Sequence, residues 1–206
     1  MTITTRTEQR EQTRDRIVDA AVAAFAADGF EATSTRDIAA RAGVTQGLVT
    51  YHFASKDDLW RAAADRIFGR LGAEVPAAPG SARTLGARGA LAAFVGFSAR
   101  NPELFRFMVD AGRHDDERMR WLVESHLAPR FAAVEGLAAA RFGRGGALSP
   151  HLYYAVVGAS SLMFAVAPEC EVLTGVDPST DAAIERHVDL VVSLFLSAPT
   201  EESAHG

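Results

Sequence analysis

The residues with the most distinctive chemistry lie close together. Gln46 carries a side-chain amide, a donor beside an acceptor, which can pair with the edge of an adenine in a DNA major groove. Gly47 has no side chain and lets a partner come close to the backbone. Tyr51 and His52 follow about one helical turn later, within reach of phosphates or thymine methyls, and the Thr50 hydroxyl can bond a phosphate. Elsewhere reactive chemistry is sparse. Asp110 and His114 stand at i and i+4, a spacing that permits shared metal ligation, but no third ligand is evident and no metal is expected. Cys170 is the single cysteine, and Glu169 and Glu171 beside it favour a protonated, unreactive thiol. No glycine-rich phosphate loop, zinc-protease motif or nucleophile elbow occurs, so neither an enzyme nor a cofactor is expected.

Two short helices must position Gln46 and its neighbours. In the stretch STRDIAARAGVTQGLVTYHF, Ser34 is placed to cap a first helix, with Asp37 completing a capping box. Ile38, Ala39 and Ala42 repeat at helical spacing, and Gly43 supplies the left-handed residue of a sharp turn. Val44 can plug the space between the helices, and Thr45 is placed to cap the second. Two helices joined by so short a glycine-containing turn form a helix-turn-helix. Upstream, Ile17, Ala21, Ala24 and Phe25 form one stripe of a leading helix that Gly29 can close. Downstream, Ser55 opens a helix carrying Leu59, Trp60, Ile67 and Phe68.

A leading helix, a helix-turn-helix and then FxSKxxL at the start of a longer helix resemble the TetR/AcrR family of bacterial transcriptional regulators. The resemblance implies an all-α fold: an N-terminal three-helix DNA-binding domain with its arm over 1–56, a larger helical ligand-binding and dimerisation domain over 57–200, and a flexible tail over 201–206. It implies a homodimeric repressor that binds a palindromic operator in double-stranded DNA and is released by a small-molecule effector. Thr35 and Arg36 match family positions that touch bases and phosphate, and Lys56 matches a phosphate-binding lysine. With Thr45, Gln46, Gly47, Thr50, Tyr51 and His52 they make up the expected DNA-binding set. One position departs from the family pattern: Thr50 stands where a tyrosine is usual, which loses the ring's reach.

The net charge of −5 argues at first sight against a nucleic-acid partner, and residues 1–60 hold seven basic against nine acidic residues. Placement matters more than the sum, because charge is felt only over roughly 8–10 Å. Between Ser34 and Lys56 the balance is Arg36, Arg41 and Lys56 against Asp37, and the arm before the first helix carries Arg6, Arg10, Arg14 and Arg16. A lone cysteine and an N-terminus with no apolar core fit a reducing cytoplasm and no secretory signal.

Beyond a linker at PAAPGS, periodic apolar residues predict further helices: one with Leu91, Phe94, Val95 and Ser98, one opened by Pro102, and a long one kinked at Pro129. Ser149-Pro150 predicts a helix start, and Leu152–Ala167 is apolar almost all round. That run is shorter than the ~20 residues a bilayer needs, so a buried or interfacial helix is expected and no membrane partner. Gly158 and Ser161 there, with Ile184, Val188, Val191 and Phe195 of the last helix, are the candidate dimer interface. Phe94, Phe97, Phe105, Met108, Trp121, Leu122, His126 and Tyr154 are the candidate lining of an effector pocket, with Arg106 as a further polar group. The runner-up reading is a helical small-molecule-binding or enzymatic protein that has lost DNA binding.

Overall fold

The computed structural model describes residues 5–75, 82–142 and 145–196. The expected linker at 76–81 and tail at 201–206 lie outside them. The described residues are all-α, with no strand among them: α1 (Arg6–Ala32), α2 (Thr35–Ala42), α3 (Gln46–His52), α4 (Lys56–Glu74), α5 (Ala82–Arg100), α6 (Glu103–Ala111), α7 (Glu117–Leu122), a π-helical turn (Val123–Leu127), α8 (Ala128–Phe142), α9 (Gly145–Ala165), α10 (Ala167–Thr174) and α11 (Asp181–Leu196). They divide into two units, residues up to 73 with 101–130, and residues 74–100 with those from 131 onward.

In the first unit, α1 starts earlier than its apolar stripe does. The Thr5 hydroxyl accepts from the Glu8 N–H at 3.2 Å and the Glu8 carboxylate accepts from the Thr5 N–H at 2.6 Å, a capping box that begins the helix ahead of the core-facing residues. Arg10, Arg14 and Arg16 therefore ride on α1 and not on an arm before it. The helix breaks at Gly29, whose φ of 77° needs glycine. There the Asp110 carboxylate of α6 accepts the Phe30 N–H at 3.0 Å, and a Cβ at Gly29 would lie 2.6 Å from Asp110 Oδ1. Ile17, Phe25, Ile38, Leu59, Trp60, Ile67 and Phe107 are buried as the core of the unit, with Trp60 and Phe107 stacked at 5.0 Å. The long helix expected to kink at Pro129 is interrupted just before it by the π-helical turn. Pro129 has no N–H for the Ser125 carbonyl, and its ring would crowd that carbonyl in a regular helix; a widened turn relieves both.

In the second unit, Leu91 and Val95 of α5, Phe164 of α9, and Val191 and Val192 of α11 form the core. One polar contact sits inside: the Ser98 and Ser161 hydroxyls, both buried, bond at 2.9 Å between α5 and α9. His187 Nε2 of α11 bonds the Ala159 carbonyl of α9 at 2.7 Å. α9 starts at Gly145, ahead of the expected Ser149-Pro150 start, with Pro150 inside it. No single helix among the described residues is long and apolar enough to cross a membrane. The apolar run bends by 75° between Ala165 and Ala167 and continues as α10, which Pro168 opens and Gly175 ends.

Candidate nucleic-acid interface

The turn between α2 and α3 is built as its residue types require. The Ser34 hydroxyl accepts the Asp37 N–H at 3.1 Å and the Asp37 carboxylate accepts the Ser34 N–H at 3.2 Å. The hydroxyl and N–H of Ser34 hold the Asp37 carboxyl below the usual carboxylate range. Gly43 takes the left-handed conformation (φ 63°, ψ 39°), and the Val44 N–H returns to the Ala39 carbonyl at 3.0 Å. Thr45 stands at the N-cap of α3 with an extended backbone, but its hydroxyl makes no capping bond. Its carbonyl instead accepts the Leu48 N–H at 3.0 Å. The cap position is thus filled while the hydroxyl remains unused by the fold.

α3 is held to the protein almost entirely by Val49, with Phe53 just beyond its end; Gln46, Gly47, Thr50 and Tyr51 are exposed. Gln46 Nε2 lies 3.5 Å from the Thr35 hydroxyl, so the first residues of α2 and α3 meet. A Cβ added at Gly47 would meet only Thr45 Oγ1, at 3.9 Å, and the residue has ordinary helical φ. Nothing inside the protein therefore requires glycine there. The Thr50 hydroxyl turns back on its own helix, donating to the Gly47 carbonyl at 3.1 Å, with Gln46 O at 3.4 Å, so only its acceptor lone pairs face outward. Lys56, the first residue of α4, lies 4.2 Å from the Phe30 ring centroid with Nζ 3.5 Å from the Glu31 carbonyl. That anchors its stem, as cation–π contacts of about 0.5–1 kcal/mol do at exposed sites.

Charge pairing separates this face from the rest of the unit. Arg41 pairs with Asp28, Arg61 with Glu117, Arg66 with Asp15 and Asp19, Arg70 with Asp19, and Arg118 with Glu31, Asp57 and Asp116. Arg10, Arg14 and Arg36 have no carboxylate partner among the described residues, and all three are exposed. Arg10 lies over the Tyr51 ring at 5.6 Å and Arg14 over the Phe53 ring at 5.3 Å. His52, between those two rings in sequence, touches Tyr51 edge-on at 5.2 Å. Partial burial, then Arg10 and Arg14, push its imidazole below the usual histidine value. Arg10 and Arg14 are some 40 residues from Tyr51 in sequence, and no local pattern joins them.

The other candidate residues are more dispersed. Of the effector-pocket set, Phe94, Phe97 and Tyr154 belong to the second unit, where Phe97 is buried and Tyr154 is 73% exposed. Phe105, Met108, Trp121, Leu122 and His126 belong to the first. Trp121 and His126 come together there at 5.4 Å, and His126 stacks on Phe68 at 4.8 Å and bonds Asp65 at 3.0 Å. Arg106 is exposed. Of the dimer set, Ser161 and Val191 are buried within the unit, while Ile184, Val188 and Phe195 pack partly buried against its core. A Cβ added at Gly158 would have nothing within 4 Å, and Gly158 lies on one stripe of α9 with exposed Tyr154 and Leu162. Leu190 and Leu194, one turn apart on α11, are also exposed, although the apolar stripe of that helix does not include them. Asp110 is engaged by the Phe30 N–H, and no group of three metal-ligating side chains occurs among the described residues.

The geometry agrees with what the chain is similar to. The model of the bacterial regulatory proteins of the tetR family matches residues 17–63. Over 62 residues the chain is 47% identical to an HTH-type transcriptional repressor of Mycobacterium tuberculosis, covering 30% of this chain and 33% of that one. It is 40% identical over 53 residues to the HTH-type transcriptional regulator AcrR of Shigella flexneri, covering 26% of this chain and 25% of the relative. These matches thus span about a third or less of the relatives' length. Among solved structures, a TetR-like transcriptional regulator from Rhodococcus sp. RHA1 aligns over 90% of this chain and 92% of its own, with a TM-score of 0.58 and 26% identity. AibR in complex with isovaleryl coenzyme A and operator DNA aligns over 88% and 97%, with a TM-score of 0.66 and 15% identity, a likeness of fold. Through its N-terminal helix-turn-helix, the chain belongs to the tetR family of bacterial regulatory proteins.

Proposed function

We propose that the protein is a cytoplasmic, homodimeric transcriptional repressor. It reads a palindromic operator through α2 and α3 and leaves the DNA when a small molecule binds the helical region over 57–200. The DNA-binding part is residues 1–56. The observation that carries this reading is the unused chemistry of the α2–α3 face. Gln46 and Arg36 are exposed there without ion-pair partners, and Gly47 is a glycine for which the fold has no need. A duplex gives each a role: Gln46 pairs with a base edge, Arg36 and Thr35 reach phosphate and base, and Gly47 lets the backbone of α3 enter the groove. Lys56, anchored by Phe30, adds a phosphate contact.

Dimerisation follows from the same reading, since one seven-residue recognition helix reads few bases and two-fold symmetry doubles the site. Tyr154 and Leu162 on α9, with Leu190 and Leu194 on α11, offer an exposed apolar surface for the second copy. AibR supports the effector part, because that neighbour carries operator DNA and an acyl-coenzyme A in one fold. No catalytic step is invoked.

The test is a salt-titrated binding assay against a genome-derived duplex library, with footprinting of the selected sequence. A short palindrome bound at nanomolar level is expected, with affinity falling steeply as salt rises. Gln46→Ala should relax base preference, whereas Lys56→Ala should weaken binding to all sequences and lower the salt slope by about one. No selective binding at moderate salt, with or without candidate effectors, would overturn the reading.

A further inference from the structure

The first four turns of α1 sort their charges by face. Asp15 and Asp19 pair with Arg66 and Arg70 of α4. Arg10 and Arg14, one turn apart, lie instead over the rings of Tyr51, the penultimate residue of α3, and Phe53, its C-cap. A guanidinium lying over a ring keeps its N–H donors at its edge, free for a planar acceptor group, and the ring limits its rotamers. Two such groups about 6 Å apart along a helix form a rail of fixed positive charge. No carboxylate among the described residues neutralises it, whereas Arg41, Arg61, Arg66 and Arg118 of the same unit are all paired.

We propose that Arg10 and Arg14 form a phosphate-contacting track contributed by α1, held by Tyr51 and Phe53 and gripping the DNA backbone beside the C-terminal end of the recognition helix. It rests on the DNA-binding reading above and extends it to residues outside the helix-turn-helix. The partner is a nucleic-acid backbone because the track is braced by the same helix that carries Gln46. A duplex lying against α3 brings a line of phosphates past its end. The track carries no base information, so it adds affinity equally on every sequence. It also explains how a chain of net charge −5 can hold a polyanion: the cations beside α3 are left without carboxylates, and acidic residues are matched to arginines elsewhere.

The test uses the full chain and the duplex selected from the genomic library, beside a random duplex of equal length. The Arg10→Gln/Arg14→Gln variant should lower the slope of log affinity against log salt by about two, one for each lost phosphate contact. It should weaken binding to both duplexes by the same factor and leave base preference intact. Arg10→Lys/Arg14→Lys should restore most of the slope. The single glutamine variants, each expected to lower it by about one, carry the test if the double variant melts early. Selective wild-type binding with an unchanged slope in the glutamine variants overturns the track alone. Wild-type protein that selects no duplex overturns the regulator reading and the track with it.

Discussion

Gly47 is the residue whose identity says most, because folding alone would select against it. Glycine inside a helix costs roughly 0.5–1 kcal/mol relative to alanine, and here neither a positive φ nor a close neighbour compensates. Gly47→Ala should therefore raise unfolding free energy by about that amount in a denaturant titration. It should at the same time weaken operator binding, because the methyl group stands between α3 and the groove. A variant that is both more stable and equally tight would remove Gly47 from the interface. Gly29 makes the contrast: its φ of 77° and the 2.6 Å separation from Asp110 Oδ1 make it a folding residue. The sequence marks both as glycines beside helical stripes, and only the surroundings tell them apart. Gln46, Tyr51 and His52 were legible because the motif fixes their register. Arg10 and Arg14 were not, since what matters is a ring they meet across some 40 residues.

Among the elements, the helices with a strong apolar period and a clear cap were readable to within a few residues. α2, α3, α4 and α11 fall close to where Ser34, Gly43, Ser55 and Thr180 suggest. The misses have physical causes. α1 begins early because a capping box can nucleate a polar helix before any core-facing residue appears. α10 was hidden because Pro168 reads as a stop but serves as a first-turn residue of a new helix. The π-helical turn before Pro129 carries His126, stacked on Phe68 and bonded to Asp65 of α4. Burial pushes the His126 imidazole down against the smaller upward pull of Asp65, and Arg130 adds to the lowering. A folded value below the ordinary ~6.5 means that the unfolded chain binds the proton more readily. The contribution to stability is thus full above about pH 6.5 and is lost as pH falls through the lowered value. Denaturant midpoints should drop between pH 7.5 and 5.5, and His126→Phe should flatten that drop in part, with His52 supplying a dependence of the same sign. An unchanged profile in the variant would show that His126 is not the group titrating.

At the scale of the whole molecule, an all-α chain with an N-terminal helix-turn-helix was readable from the period of its apolar residues and the family motif. Two aspects were not. Residues 101–130 pack with the N-terminal segment because α6 meets α1, a long-range contact with no local signature. The free face of α9 and α11 was also hidden. A helix apolar on more than one side does not declare which side meets its own core, and Val191 and Ser161 turned inward while Leu190, Leu194 and Leu162 remained outside. If that outer face joins two copies, Leu190→Glu/Leu194→Glu should give a monomer in sedimentation at micromolar concentration, with helical content retained. Operator affinity should fall severalfold or more, because the two half-sites would be bound separately. A variant that remains dimeric would place the interface elsewhere.

The buried hydroxyl pair between α5 and α9 constrains how the second unit can move. Sliding either helix along the other by one turn would strand Ser98 and Ser161 among apolar side chains, at about 1–3 kcal/mol for each unpartnered group. Swivelling about the pair keeps the bond, since hydroxyls rotate freely. The contact is thus a pivot: it leaves angular play between the two helices while suppressing axial travel.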